Sequence, residues 1–308
     1  MTTLLYTHAA CFDHDTGRQH PERPARLKAV LEALSGEAFA ALEHREAPRA
    51  ALEQIARVHP MRYVERVLAA IPVHGIDHLD GDTTVSPGSG EAALRAAGAL
   101  CAAVDAVVAG EATNAFCAVR PPGHHAEPTQ AMGFCLFNNV AIGAEQARSV
   151  HGLKRVAVVD FDVHHGNGTQ AMFEADPDLF YASTHQMPLY PGTGDASERG
   201  VGNIVNAPLP PMAGSEEFRL VMSRVVLPAL EEFGPDLLLI SAGFDAHRDD
   251  PLASLRLVED DYAWATTELM KVADACCQGR VVSALEGGYD LHALGASAAA
   301  HVKALMVG

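Results

Sequence analysis

Short apolar runs alternate with amphipathic stretches along most of the chain. The runs are rich in Val, Ile, Leu and Ala, which is typical of strands buried on both faces of a sheet. They predict strands at 4–7, 115–119, 155–160, 179–183, 203–209, 237–242 and 280–285. Apolar residues at helical spacing predict helices at 21–34, 51–70 with a break near Pro60, 89–108, 138–150, 215–233 and 260–278. This alternation favours an α/β fold whose central parallel sheet is covered by helices on both faces.

Turn signals are spread evenly, and no linker divides the chain. The 308 residues contain no Ser/Gly-rich or Pro-rich tract, no long run of like charges and no repeat of fixed period. A polar stretch rich in Gly, Asp and Ser, 73–90, predicts a long loop. Gly36 and Ser89 are candidate caps, the first at the end of the 21–34 helix and the second at the start of the 89–108 helix. We therefore expect one domain over residues 1–308, large enough to bury a sizeable core.

The chain is acidic, with 22 Lys and Arg against 39 Asp and Glu and a formal charge of −17. This charge repels nucleic acid and anionic membranes and favours basic partners or substrates, although an acidic surface also serves simply to keep a protein soluble. The six cysteines form no CxxC pair, and most lie in apolar segments as buried thiols do. No apolar run approaches the roughly 18 residues of a membrane span, and the start lacks the pattern of a signal peptide. We expect a cytoplasmic protein with neither nucleic acid nor membrane partners.

The predicted strand at 155–160 leads into the sequence DFDVHHGNGTQ, residues 160–170. Gly166 and Gly168 stop the strand, so two carboxylates and two imidazoles lie at its carboxyl end, the edge where open α/β sheets bind ligands. Asp162 and His164 are two residues apart and project from the same side of an extended segment. Such a pair can hold one cation between its side chains.

Three further polar motifs follow predicted strands and should meet at the same edge. The motif RPPGHH presents His124 and His125 side by side on a turn fixed by two prolines and a glycine. Adjacent histidines on a rigid loop suit either metal binding or a base with an electrostatic partner. SAGFDAHRDDP adds Asp245, and EGGYD places Tyr289 after two glycines that free the backbone.

Asp162, His164 and Asp245 would together form a site of two carboxylates and one imidazole. Oxygen and nitrogen ligands suit zinc, while ligand type alone leaves iron(II), cobalt and manganese open. Such a cation lowers the pKa of its bound water to about 7 and polarises a carbonyl. With two histidines and a tyrosine around it, the site predicts a hydrolase.

These motifs, in this order, resemble those of the histone deacetylase family, within the arginase/deacetylase superfamily. The likeness extends over nearly the whole chain, through HPERPARL (20–27), RPPGHHA, GFCLFNN, DFDVHHGNGTQ, YPGTGD (190–195), SAGFDAHRDDPL and LEGGYDL (285–291). It implies one α/β domain with a central parallel sheet of about eight strands. It also implies a zinc-dependent deacetylase that hydrolyses the acetyl amide of acetylated lysine side chains in proteins or peptides.

The resemblance assigns roles to the residues at the sheet edge. One zinc ion would bind the three ligands named above. His125 would be the general base for the water, with Asn167 as its partner, and Asp160 would be the acidic partner of His124. Asn rather than Asp at 167 is typical of class II and its bacterial relatives, and it should raise the basicity of the histidine less. Tyr289 would donate a hydrogen bond to the substrate carbonyl and stabilise the oxyanion.

The resemblance also assigns a substrate channel. Phe134 and Tyr190 would sandwich the acyl-lysine stem, although the second position is more often Phe. Gly133 would offer its carbonyl to the scissile amide N–H. Leu252 lies where one group of acetylpolyamine deacetylases carries an acidic gatekeeper, which removes one argument for polyamines without excluding them.

Further positions are implied for ions and for the channel. Bound K⁺ or Na⁺ would use Asp160, Asp162 and Ser183 in one site, and backbone groups around Phe173 and Leu179 in another. Arg26 matches an arginine near an internal product channel, with a surface salt bridge on its helix as the alternative. Asp82, in the polar loop, would be either an acceptor for the substrate backbone or a solvated carboxylate.

Three other functions stay open beside lysine deacetylation. The same chemistry could act on acetylated polyamines or another small acylated amine, or the chain could be an inactive module that binds acyl-lysine. The sequence DAHRD, residues 245–249, mimics an element of the dimanganese ureohydrolases. It lies inside the deacetylase form of the motif, which disfavours that chemistry. An oligomer is compatible with the sequence.

Overall fold

A computed structural model describes residues 2–308, and a parallel sheet of eight strands runs through its centre. In chain order the strands are β1 (Thr3–Thr7), β2 (Glu43–Glu46), β3 (Asp77–His78), β4 (Thr84–Val85), β5 (Asn114–Cys117), β6 (Val156–Asp160), β7 (Leu179–Gln186), β8 (Ile204–Leu209), β9 (Leu237–Ala242) and β10 (Val281–Leu285). The sheet order is β2-β1-β5-β10-β9-β6-β7-β8, while β3 and β4 form a separate small antiparallel hairpin. The predicted α/β fold with a central parallel sheet of about eight strands is confirmed.

Helices cover the sheet on both faces. They are α1 (Pro24–Ala33), α2 (Leu52–Ile55), α3 (Met61–Ala69), α4 (Ser89–Val108), α5 (Asn139–His151), α6 (Asn167–Phe173), α7 (Ser215–Val221), α8 (Leu227–Phe233), α9 (Glu259–Cys277) and α10 (Leu291–Val307), with a π-helical segment, Met222–Val226, joining α7 to α8. One layer contains α4 packed on α5, and in another α10 packs on both α1 and α9. None of these helices combines the length and the apolar character that a membrane crossing needs within residues 2–308.

The inner strands are apolar because both of their faces are covered. Every residue of β6, β9 and β10 is buried, and such continuous apolar runs are what a sequence pattern detects best. The edge strand β2, with the sequence EHRE, is largely exposed and pairs with β1 through its backbone. It was missed by the hydrophobic pattern because it has no apolar run.

Several local predictions were wrong. Ser89 is the first residue of α4 rather than its cap, and its hydroxyl accepts the N–H of Ser86 at 2.8 Å. Leu34, not Gly36, caps the end of α1. The polar stretch 73–90 contains the β3–β4 hairpin. The helices α6 and α10 were not predicted: α6 is short, and α10 follows the last predicted strand.

Five neighbouring strands, β5, β10, β9, β6 and β7, end at one edge of the sheet. The motifs that begin at or after the ends of these strands are, in the same spatial order, RPPGHH, EGGYD, SAGFDAHRDDP, DFDVHHGNGTQ and YPGTGD. Because parallel strands present their carboxyl ends together, residues more than 100 positions apart in sequence meet there.

Candidate active site

The three predicted metal ligands converge on one point. Asp162 and His164 follow β6, and Asp245 follows the adjacent β9. The Nδ1 atom of His164 lies 3.1 Å from Asp162 Oδ1 and 3.1 Å from Asp245 Oδ2. All three side chains are buried, and one ligand atom from each lies within 4.8 Å of the others.

Backbone N–H groups hold both carboxylates in place. The N–H of Gly287 donates to Asp162 Oδ2 and that of Val163 donates to Asp245 Oδ1, both at 2.8 Å. A Cβ at Gly287 would clash with both carboxylates, so only glycine allows the EGGYD loop to approach so closely.

The electrostatics of this cluster favour a bound positive charge. Burial alone would lower the pKa of His164, but its hydrogen bonds with Asp162 and Asp245 and their charges raise it to about 10. Burial alone would raise the pKa of Asp162, but the charge of His124 and the hydrogen bonds and charge of His164 hold it far below its usual range. Buried carboxylates stay ionised only beside such charge. A donor set of two carboxylates and one imidazole therefore fits a divalent ion such as zinc.

The two adjacent histidines have different partners. The Nδ1 atom of His124 lies 3.0 Å from Asp160 Oδ2, and that of His125 lies 2.8 Å from Asn167 Oδ1. Burial opposes a charge on both rings, but Asp162 and Asp160 raise the pKa of His124 to about 10. Burial and the positive charges of His124 and His164 hold the pKa of His125 well below 6.5. The pair is thus divided into a charged imidazolium, His124, and a neutral imidazole, His125.

The amide of Asn167 fixes the tautomer of His125. Its Nδ2 donates to Glu127 Oε1 at 2.8 Å, so its Oδ1 must face His125 as an acceptor. The Nδ1 of His125 therefore carries the proton, which leaves Nε2 with a free lone pair. That arrangement suits a general base.

Tyr289 is almost buried and lines the same cavity as His125 and His164. Its ring makes an edge contact with Phe134 at a centroid distance of 5.9 Å. Burial raises the pKa of Tyr289 well above 10, so its hydroxyl stays protonated at neutral pH. The preceding Gly288 has φ +120°, a conformation that favours glycine.

Arg26 lies inside the molecule, so the alternative of a surface salt bridge was wrong. Its guanidinium donates to the carbonyls of Gly288 and Glu286, each at 2.5 Å, and pairs with Glu22 at 3.2 Å. Its Cζ lies 4.9 Å from the centre of the Tyr289 ring. Arg26 therefore supports the loop that carries Tyr289.

Two buried carboxylates at the site were missed by the sequence reasoning. Glu286 accepts the N–H groups of Gly123 and His124, at 2.7 and 3.2 Å, and so anchors the histidine loop. Glu22 pairs with Arg120 and Arg26, and all three side chains are fully buried. Glu22 lies in the motif HPERPARL and Glu286 in LEGGYDL, and membership of these motifs is the signal that could have singled them out. Without it, a single Glu far in sequence from its partners is expected to be exposed to solvent.

A cavity of about 250 Å³ leads from the surface to these groups. It is lined by Asp82, His125, Gly133, Phe134, His164, Leu189, Tyr190, Leu252 and Tyr289. Tyr190 and Leu252 are 38% and 36% exposed, which places them at its mouth. The structure thus brings the predicted channel residues together around one cavity. Leu189 was not singled out by the sequence, because it is one apolar residue in a loop.

The wall at Phe134 has an unusual backbone. Gly133 and Phe134 both have positive φ, +57° and +68°, which is rare for a bulky residue and typical of functional turns. Asp82 Oδ1 accepts the Gly133 N–H at 3.1 Å, and Thr83 Oγ1 accepts the Phe134 N–H at 3.2 Å. Asp82 is therefore a half-buried support of this turn, and its interpretation as a solvated loop carboxylate was wrong. The Gly133 carbonyl accepts from the Cys135 thiol at 3.2 Å.

The two predicted sites for monovalent cations differ. Ser183 lies beside Asp160 in the register of β6 and β7, and both are fully buried. At the other position, the carbonyls of Phe173, Asp176 and Leu179 all face the side-chain nitrogen of Asn203, at 2.8, 2.9 and 2.6 Å. The Asn203 amide therefore faces three carbonyls with only two hydrogens, and a cation at this second position stays a prediction.

Fold and site together define an α/β protein of the arginase/deacetylase architecture, with a candidate metal centre at the carboxyl edge of its sheet. The family model of the histone deacetylase domain matches residues 20–305. The crystal structure of the HDA15 HD domain superposes with a TM-score of 0.95 at 35% identity, covering 99% of this chain and 88% of that one. The chain therefore belongs to the histone deacetylase family, as its motifs predicted.

Two named relatives are similar over most of their length. A histone deacetylase-like amidohydrolase from Pseudomonas aeruginosa is 46% identical over 276 residues, which cover 88% of this chain and 72% of the relative. Histone deacetylase 14, chloroplastic, from Arabidopsis thaliana is 40% identical over 324 residues, which cover 98% and 76%. These names support a hydrolase of the deacetylase class. The second belongs to a chloroplast protein, so a cytoplasmic location for this chain stays a prediction.

Proposed function

We propose that this protein is a zinc-dependent amidohydrolase that removes the acetyl group from acetylated lysine side chains. The observation that carries the proposal is the position of His164 between Asp162 and Asp245, at the end of a cavity that His125 and Tyr289 also line. Asp162, His164 and Asp245 would hold the ion. Bound zinc would lower the pKa of a water molecule and polarise the acetyl carbonyl.

The chain's own residues would move the protons. The free Nε2 of neutral His125 takes a proton from the attacking water. As the acetyl C–N bond breaks, that proton passes to the departing amine, so the first products are acetic acid and a free amine. At neutral pH the acid then ionises to acetate and the amine takes up a proton. His124, held by its contact with Asp160, would stabilise the negative charge that develops beside it. The Tyr289 hydroxyl donates to the oxygen on which negative charge develops.

The cavity suits an extended alkyl chain. Phe134, Tyr190 and Leu252 would line the methylene groups of the lysine stem, and the Gly133 carbonyl would accept from the scissile amide N–H. The net charge of −17 favours substrates with a basic surface. A K⁺ or Na⁺ ion at Asp160, Asp162 and Ser183 would stabilise the strand ends that carry the zinc ligands.

A second candidate substrate is an acetylated polyamine. The half-buried carboxylate of Asp82 lines the cavity, and burial together with neighbouring Asp80 raises its pKa, as expected where negative charge accumulates. A cationic polyamine chain would be attracted to such a mouth. Leu252, apolar and partly exposed, instead favours the lysine stem.

The discriminating experiment compares kcat/KM of the zinc-loaded protein for an acetyl-lysine peptide and for acetylspermidine in one buffer. We expect at least a hundredfold preference for the peptide, equivalent to about 2.7 kcal/mol of differential transition-state binding. The same protein stripped of metal should be inactive on both and regain its rate with zinc. A hundredfold preference for acetylspermidine would make the polyamine the substrate, and bound peptide without turnover would indicate an inactive acyl-lysine-binding module.

A further inference from the structure

One carboxylate joins two of the loops that form the candidate active site. Asp250 is 7% exposed and follows Asp245 in the loop after β9. Its Oδ2 accepts the backbone N–H of Tyr289 at 2.7 Å, and its Oδ1 accepts that of Leu252 at 3.0 Å. A weaker contact runs from the Asp290 N–H to Oδ2 at 3.4 Å. The oxyanion tyrosine and a residue of the cavity mouth therefore share one anchor.

The other groups that hold this loop act on the residues before Tyr289. Arg26 donates to the carbonyls of Glu286 and Gly288, and Asp162 accepts the Gly287 N–H. Gly288, at φ +120°, has no side chain to restrict the direction in which the next residue leaves it. Catalysis tolerates little of that freedom, since a displacement of about 1 Å can lower a rate about 100-fold. The hydrogen bond from the Tyr289 N–H to Asp250 fixes the backbone of the tyrosine directly.

Only a carboxylate satisfies both loops at once. Its two oxygens each accept from a backbone N–H, one on either side. An asparagine of the same shape has a single acceptor, so its NH₂ group would face one of these N–H donors inside the protein. Two buried donors facing each other leave both without a partner, and one loop must move.

We propose that Asp250 is a positioning residue that fixes Tyr289, through its backbone, for oxyanion stabilisation and fixes Leu252 at the cavity mouth. The proposal rests on the deacetylase function proposed above. Within residues 2–308 the Asp250 side chain accepts hydrogen bonds from the backbone N–H groups of Leu252, Tyr289 and Asp290 and from none of the three metal ligands, so it acts through Tyr289 and Leu252.

The neighbouring Asp249 offers a matched control. Its side chain is 60% exposed and contacts His247 and Arg248 at 3.7 and 3.9 Å. Asp249→Asn makes the same chemical change one residue away without altering either anchor. We expect it to leave kcat and KM on an acetyl-lysine peptide within about twofold of the wild-type values.

The test is a double-mutant cycle between Asp250→Asn and Tyr289→Phe, measured on the zinc-loaded protein. In the wild-type background, Asp250→Asn should lower kcat about 10- to 100-fold, with a smaller change in KM. In the Tyr289→Phe background, where the hydroxyl is already absent, it should lower kcat less than about threefold. An equal loss in both backgrounds would overturn the proposal, because a general structural defect lowers both rates by the same factor.

A second variant keeps the test decisive if Asp250→Asn does not fold. Asp250→Glu retains two acceptors but moves them by one methylene group, and the same cycle with Tyr289→Phe should again show the loss confined to the background that has the hydroxyl. Zinc content and thermal unfolding are measured for every variant. An active wild-type protein with an unaffected Asp250→Asn would overturn this inference alone, whereas an inactive wild-type protein would overturn the proposed function and this inference with it.

Discussion

The floor and the mouth of the cavity are built on different principles. The floor is His164, which lines the cavity, together with the buried carboxylates behind it. These are Asp160, Asp162, Asp245 and Glu286, and all five residues follow or end the strands β6, β9 and β10. These residues are buried, and the carboxylates accept backbone N–H groups or contact a histidine. The mouth consists of Asp82, Phe134, Tyr190 and Leu252, which lie on four loops.

This difference assigns the reaction to the floor and the selection of the substrate to the mouth. Tyr190 and Leu252 are more than a third exposed, while the floor residues are at most 8% exposed. A floor fixed by the sheet supports one chemistry with little freedom, and loops at the mouth can change without disturbing it. We therefore expect substitutions at the floor to lower kcat and substitutions at the mouth to change KM or substrate preference.

The largest effect is expected from removing a ligand at the floor. Asp162→Ala leaves His164 and Asp245 without the second carboxylate, and kcat should fall at least about 1,000-fold with loss of bound zinc. Enzyme assays and metal analysis of the purified variant measure both. Asp260→Ala, an exposed carboxylate at the start of α9, is the control and should keep full activity. A zinc-free but fully active Asp162→Ala would contradict the assignment of the metal site.

The same contrast explains what the sequence could reveal. Asp162, His164, Asp245 and Tyr289 each follow an apolar run that marks a buried strand, so their meeting at one edge follows from parallel topology. The partner of Arg26 could not be found in this way, because its contact with Gly288 spans 262 positions and depends on how α1 packs.

The mouth was less predictable than the floor. Its geometry depends on the turn at Phe134, where a non-glycine residue takes a positive φ, and on Asp82, whose position follows from the hairpin β3–β4. Neither feature has an apolar period, and hydrogen bonds between loops stabilise both. Pattern reasoning therefore identified Phe134 through its motif but misjudged the environment of Asp82.

At the mouth, Phe134→Ala removes one aromatic wall of the cavity. We expect KM for an acetyl-lysine peptide to rise about 10-fold while kcat changes less than about threefold, because the lost contacts serve the ground state and the transition state alike. Steady-state kinetics on the zinc-loaded variant measures both constants. If only kcat fell, Phe134 would act in the reaction, as the floor residues do, rather than in substrate binding.

The pH profile tests the division between the two histidines. Because the pKa of His125 lies well below 6.5, wild-type kcat/KM should fall only at pH values below that. In Asn167→Asp, a carboxylate partner favours the protonated ring and raises the pKa of His125. The fall of kcat/KM on the acidic side of the pH profile should then begin at higher pH, and activity near pH 6 should drop.

The carboxylate introduced by Asn167→Asp would lie beside Glu127, so the test combines this substitution with Glu127→Gln. The glutamine amide can donate to the introduced carboxylate and so replace the hydrogen bond that the Asn167 amide makes in the wild-type protein. Glu127→Gln alone is the control, and its kcat/KM should fall at the same acidic pH as that of the wild-type protein. If kcat/KM fell at the same acidic pH in the wild-type protein, in Glu127→Gln and in the combined variant, His125 would not be the base.

The smallest effect is expected from a substitution of Leu252 at the mouth. Leu252→Glu adds a negative charge beside the opening without touching the floor, so kcat/KM for acetylspermidine should rise several-fold relative to the peptide. Leu252→Gln is the uncharged control. A similar shift in both variants would mean that polarity or shape, rather than charge, determines the preference.

The kcat of Tyr289→Phe on an acetyl-lysine peptide tests the central claim most directly. Wild-type and variant protein are compared at equal, measured zinc content, and the substitution removes one hydroxyl while keeping the ring between Arg26 and Phe134. The account predicts a fall of about 100- to 1,000-fold in kcat with KM nearly unchanged, as for the loss of one oxyanion donor. A Tyr289→Phe variant that kept the wild-type kcat would contradict it.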